Sequence, residues 1–108
     1  MLYHLVTQPL EWDSAGLYIP PSLETEGFIH LSFARQVAWV ANQFLKSAPQ
    51  LWVVEIDPSR LTLEVRVEDP GIGEGFPHLY GPIPQQAVRK IISLNRSEAG
   101  DWVFHPPA

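Results

Sequence analysis

The chain contains no cysteine, so neither a disulfide nor a thiolate metal site contributes to its fold. Basic residues are scarce as well: seven Lys and Arg stand against twelve Asp and Glu, for a formal net charge of −5. The seven are scattered, whereas a protein that tracks a phosphate backbone needs them clustered, so long nucleic acid is not an expected partner. One Arg or a helix N-terminus is enough to hold one or two phosphates, which leaves a small nucleotide ligand open. No apolar run approaches the roughly 18 residues of a membrane span, and no signal-peptide pattern opens the sequence. These absences set the expectation of a cytoplasmic protein with no membrane partner, a monomer or weak dimer.

What is present is enough apolar material for one core. With 108 residues, 45% of them hydrophobic and 18% charged, the composition is that of a globular domain and predicts a single unit over 1–108. A domain of this size buries only about 60 to 70% of its unfolded surface, so few side chains are free for function. The four tryptophans, Trp12, Trp39, Trp52 and Trp102, are assigned to the core.

Periodicity predicts one substantial helix. From Phe33 to Lys46 the apolar residues Ala34, Val37, Val40, Ala41, Phe44 and Leu45 recur at spacings of three and four, with Ser32 as its N-cap and Pro49 beyond its end. Shorter helical turns are expected from Pro9 through Asp13, closed by Gly16, and over Leu23–Glu26. Strands are predicted at Leu2–Val6, Phe28–Leu31 and Trp102–Phe104, with a buried central strand at Leu51–Ile56. Leu61–Val67 alternates apolar and polar residues, as a strand with one wet face does. Phe76–Tyr80 reads as an edge strand that tolerates Pro77, and Ala87–Leu94 fits helix or strand with one side buried. Between these, Asp69–Gly75 carries three glycines in seven residues and reads as a mobile flap. Gly71-Ile72-Gly73 is no dinucleotide fingerprint, because Pro77 and Pro82 forbid the helix that motif must open. His105–Ala108 is expected to be a loose tail. The order of elements gives an α+β domain with a mixed or antiparallel sheet.

The polar residues that stand out are histidines at strand positions. His30 and Ser32 end a short apolar strand and, two residues apart, project from one face; His4 and His78 occupy similar places in Tyr3-His4 and Phe76-Pro77-His78-Leu79-Tyr80. If these strands are neighbours, the histidines line one cleft. Tyr18 and Tyr80 are candidates to stack on a base or nicotinamide ring, Ser32 has the alternative role of helix cap, and Glu68 is the nearest carboxylate. A three-histidine metal site from His4, His30 and His78 is a further reading, without any His-x-His or His-x3-His pair to support it.

Tyr3-His4, Glu26–Ser32, Val40–Phe44, Val54–Asp57 and Phe76–Ile83 together resemble a small bacterial family, domain of unknown function 952, over nearly the whole chain. That family resembles in turn the ADP-ribosyltransferase fold and its RNA 2′-phosphotransferase branch. The resemblance implies a split, twisted sheet whose cleft holds NAD or an ADP-ribosylated intermediate. It implies that His4 binds a ribose hydroxyl, that His30 supports the second ribose or a phosphate, and that Ser32 orients the ligand. Tyr18, His78 and Tyr80 would complete the ligand site and Glu68 would be the late catalytic carboxylate, with no metal required. Because the basic N-terminal domain and phosphate-reading arginines of the RNA branch are missing, an alternative is a non-catalytic binding module for a nucleotide or other small phosphorylated ligand.

Overall fold

The computed structural model describes residues 1–106. Pro107 and Ala108, half of the expected tail, lie outside the described residues. In chain order the elements are β1 (Leu2–Val6), β2 (Leu17–Tyr18), α1 (Pro21–Thr25), β3 (Ile29–His30), α2 (Val37–Phe44), β4 (Trp52–Ile56), β5 (Val65–Glu68), β6 (Phe76–Leu79), β7 (Ile83–Pro84), β8 (Val88–Ser93), β9 (Asn95–Arg96) and β10 (Trp102–Val103).

Two three-stranded sheets, ordered β1-β4-β8 and β3-β6-β5, carry the architecture, with two small ribbons, β2-β7 and β9-β10, beside them. Every pairing is antiparallel, so the sheet is antiparallel rather than mixed. The two main sheets meet at one isolated bridge, where the Tyr3 and Ser32 amides each donate to the other residue's carbonyl at 2.9 and 2.7 Å. The sheet is therefore split, with its seam beside His4.

β4 reads as an unbroken apolar run because both of its faces are covered. On one face Val54 and Ile56 join Leu2, Val6, Ile29, Leu31, Leu79, Ile83 and Ala87; on the other Val53 joins Tyr3, Val37, Ala41, Leu51, Leu94 and Trp102 beneath α2. Glu55 is the exception in that run, buried, accepting from the Tyr3 hydroxyl at 3.3 Å with Arg89 3.8 Å away. Asn42 of α2 brackets the Trp102 backbone, donating to its carbonyl at 3.0 Å and accepting from its amide at 2.7 Å.

Several expectations change. The predicted helix over 33–46 is a 3-10 turn at Ala34–Gln36 followed by α2, which stops at Phe44 where Leu45 leaves helical geometry (φ −127°). Its start is capped by Gln36, whose side-chain oxygen accepts from the Phe33 amide at 2.9 Å, and Ser32 instead carries the bridge to Tyr3. Trp39 and Phe44 lie outside the core, 46% and 65% exposed, packed edge to face. The Pro9 turn is not helical; Asp13 organises that segment by accepting from the Ala15 and Leu17 amides at 2.8 and 3.0 Å. The second short helix begins at Pro21, whose fixed φ suits a first turn. Ala87–Leu94 resolves as strand β8.

Pro77 sits in a central strand, not an edge. Its carbonyl accepts from Leu31 on the β3 side at 2.9 Å and its missing N–H faces the same side, so the Leu31–Pro77 pair keeps one of its two possible bonds while the ladder to β5 loses none. The glycine-rich loop is tied down rather than free: Asp69 Oδ1 accepts from the amides of Gly71, Ile72 and Gly73, which also hold its carboxyl below the usual range. Gln36, only 2% exposed, donates to Glu74 at 2.6 Å and to the Gly75 carbonyl at 2.8 Å.

Gln36 thus joins the helix start to the loop with three hydrogen bonds. Replacing it by Ala strands a half-buried amide, that of Phe33, and a half-buried carbonyl, that of Gly75, and urea unfolding of Gln36→Ala should show a loss of about 1 to 3 kcal/mol. A loss below a few tenths would show that water replaces the side chain.

Candidate functional site

The pleat of the β3-β6-β5 sheet sorts its residues by parity. Ile29, Leu79 and Val65 face the core. The alternate residues, Phe28 and His30, His78 and Tyr80, Arg66 and Glu68, make up the other face, with His30 opposite His78 and Arg66 opposite His78 from the other side.

That face is an aromatic and acidic cluster. Phe28 stacks on His78 at 4.1 Å between centroids and 15° between planes, and lies 4.9 Å from His30 and 5.4 Å from Tyr80. The His30 ring meets the His78 ring edge to face at 5.4 Å. Glu68 Oε1 accepts from His78 Nδ1 at 2.9 Å and from the Tyr80 hydroxyl at 2.5 Å. These bonds, Tyr80's first, hold the Glu68 carboxyl below its ordinary range, and the same bond raises the Tyr80 phenol. Arg66 lies over the Tyr80 ring at 4.5 Å and pairs with Glu64 at 2.8 Å. His30 pairs through Nε2 with Glu26 at 2.9 Å; its side chain is half exposed while His78 is buried.

His4 sits at the seam of the two sheets. The His30 carbonyl faces away from β6, along the open edge of β3, and accepts from His4 Nδ1 at 2.8 Å. That bond fixes the tautomer: Nε2 keeps its lone pair and takes the Tyr18 hydroxyl at 3.3 Å. Burial pushes the His4 pKa down to about 4, more than the His30 carbonyl restores. Beyond it opens a cleft of about 840 Å³, lined by His4, Thr7, Trp12, Tyr18, Pro20 and Leu45 among others. Trp12 packs edge to face on Tyr18 at 6.4 Å.

The structure therefore joins six of the seven residues singled out from sequence into one network of contacts. His4 and Tyr18 line the cleft, His78, Tyr80 and Glu68 form the sheet face, and His30 belongs to both, by its carbonyl and by its ring. Ser32 is 6% exposed and enters through its backbone bridge. Glu68, the nearest carboxylate by sequence, lies within the sheet-face cluster and not among the residues lining the cleft. Phe28, Glu26 and Arg66 are additions. Phe28 and Arg66 were legible from the same period-two spacing that linked His30 to Ser32. Glu26 was not, because it reaches His30 from the turn after α1. Among the described residues no group of three or more His, Asp or Glu side chains is arranged to hold a metal ion, and both nitrogens of His4 are engaged.

A family model described as "Protein of unknown function (DUF952)" matches residues 6–91. No curated protein matches the chain. The fold is similar to the crystal structure of protein CC0527 from Caulobacter crescentus, with a TM-score of 0.77, 25% identity and coverage of 94% of this chain and 92% of that one. A double mutant of the same Caulobacter protein gives a TM-score of 0.76 at 24% identity and the same coverage.

The buried imidazole at the seam makes stability depend on pH. In the unfolded chain His4 takes up a proton near pH 6.5, in the folded chain only near 4, so acid favours unfolding between those values. From pH 7 to 5 the unfolding free energy should fall by about 2 kcal/mol more in the wild type than in His4→Asn. Parallel pH curves for the two proteins would refute this placement of His4.

Proposed function

The chain belongs to the DUF952 family, and from its site we propose that it binds a nucleotide of the NAD or ADP-ribose class and acts on the ribosyl C–N bond. One observation carries the reading: the Glu68 carboxylate is held by His78 and Tyr80, the two rings against which Phe28 packs, on the face shared with His30. A nicotinamide nucleotide has a flat cationic ring on a ribose whose bond to nitrogen breaks through an oxocarbenium-like state. A fixed carboxylate and stacked rings suit both. The sheet face carries Glu26 and Glu68 against one guanidinium, Arg66, which already pairs with Glu64, so it favours the cationic ring over the pyrophosphate.

In this reading the nicotinamide ribose lies on the sheet face, with His30 binding a hydroxyl, and the remainder of the nucleotide turns over the edge of β3 towards His4, Tyr18 and Trp12. A cleft of about 840 Å³ is in the range that buries ligands of this size. Relationship to the ADP-ribosyltransferase fold is part of the proposal; the split between two antiparallel sheets at Tyr3 and Ser32 supports it. The second reading, a module that binds such a ligand without turnover, is favoured by the internal partners that already occupy His30 and Glu68.

Calorimetric titration with NAD, ADP-ribose and a 2′-phosphorylated dinucleotide tests the proposal. Micromolar binding of at least one is expected, weakened tenfold or more in His30→Ala with circular dichroism unchanged, since the His30 side chain is half exposed. Equal affinity in that variant would place the ligand elsewhere. Binding without nicotinamide release from NAD would select the module.

A further inference from the structure

We propose that His78, rather than Glu68, is the proton-accepting group of this site, and that Glu68 and Tyr80 are positioning residues that hold its reactive tautomer. The identity of the substrate rests on the reading above; the assignment of the base rests on the hydrogen bonds around His78 and on the chemistry of the two groups.

Glu68 Oε1 takes two hydrogen bonds, from Nδ1 of His78 and from the Tyr80 hydroxyl. An ionised carboxylate has only acceptor sites, so the proton between it and His78 resides on Nδ1 and the lone pair on Nε2. The bonds that hold the Glu68 carboxyl low also make it a poor base, since it has little tendency to take a proton at neutral pH. An imidazole is the side chain suited to that task near neutrality. Among the described residues no hydrogen bond engages Nε2, and no buried side-chain nitrogen or oxygen lacks a partner, so Nε2 reaches the surface. Phe28 fixes the plane of the ring by stacking at 4.1 Å, while His30 closes its edge at 5.4 Å. The ring is thus held by a carboxylate behind, a phenyl above and a second imidazole beside, with one nitrogen left for chemistry.

The step balances without a further reactant. Nε2 takes the proton of an acceptor hydroxyl, water or an alcohol, as the oxygen bonds to C1′ of the ribose. The C1′–N bond breaks with its electron pair on the nicotinamide nitrogen, which loses its positive charge. The imidazolium then releases the proton to solvent. Glu68 offsets the charge formed on His78 in the transition state.

Nitrogen-15 NMR of the histidine side chains and rate measurements on the full chain test this together. His78 should be the Nδ1–H tautomer in the wild type and in Glu68→Gln, and lose that preference in Glu68→Ala. His78→Asn keeps a donor to Glu68 and removes the base, so nicotinamide release should fall about 100-fold or more with the fold intact. The groups facing His78 are Glu68 and Arg66 from β5, Tyr80 just past the end of its own strand, and His30 with its partner Glu26. Of these, removing the Glu68 charge should shift the acid limb of the rate profile to lower pH. A limb left unmoved in Glu68→Gln means that His78 is not the group it reports, and complete loss of the limb in that variant makes Glu68 the base; either overturns the proposal, as does an Nε2–H tautomer of His78. If the wild type releases no nicotinamide, ribosyl transfer fails and the base is read with p-nitrophenyl acetate in a His30→Ala, His105→Ala background. Slower ester cleavage in His78→Asn then supports a free Nε2, and equal rates overturn it.

Discussion

The hydrogen bond from His4 Nδ1 to the His30 carbonyl is the constraint on which the site depends. An antiparallel sheet with an unbroken ladder has no room for a side chain between strands. Here β1 and β3 share only the Tyr3–Ser32 rung, and the imidazole fills the place where the next rungs would be. One ring therefore closes the seam, orients Tyr18 at the cleft and fixes the backbone of the residue whose own ring meets His78. The cost is a buried base, which the protein keeps neutral by burial and satisfies on both nitrogens.

The second organising feature is a sheet with two unlike faces. Parity sends Ile29, Leu79 and Val65 to the core and Phe28, His30, His78, Tyr80 and Glu68 to the other side, so the same residues that build the fold bring the polar groups together. The outer face is nonetheless dense. His78 is 4% exposed on what is nominally the wet side, because Phe28 and its neighbours cover it. Low exposure strengthens its bond to Glu68 and limits the ways its ring can turn. Gln36, the anchor of the Asp69–Gly75 loop, holds the chain entering β6 in the same manner, with a buried amide saturated by its partners.

Much of this was legible in the sequence. Period-two spacing places His30 on a strand, and apolar continuity identifies β4, whose two covered faces the run Leu51–Ile56 already implies. Local patterns fail where distant contacts decide. Pro77 argues for an edge, yet β6 is central: the proline nitrogen faces the end of β3, where the single bond from the Leu31 amide holds the pair. Ser32 has the chemistry of a cap, but Gln36 takes that role one residue later, at Phe33, while the Ser32 backbone closes the seam with Tyr3. The glycines of Asp69–Gly75 suggest freedom, and one aspartate removes it by gathering their amides. Glu26 reaches His30 through a turn that no strand period describes.

A crystal structure of the protein with bound ADP-ribose is the most direct test of the central claim, that the seam between the two sheets is a ligand site. The account predicts a ribose within hydrogen-bonding distance of His30 on the Phe28–His78 face, and the rest of the ligand passing the edge of β3 into the cleft beside His4 and Tyr18. Ligand bound to another surface, with the seam unaltered, would contradict it.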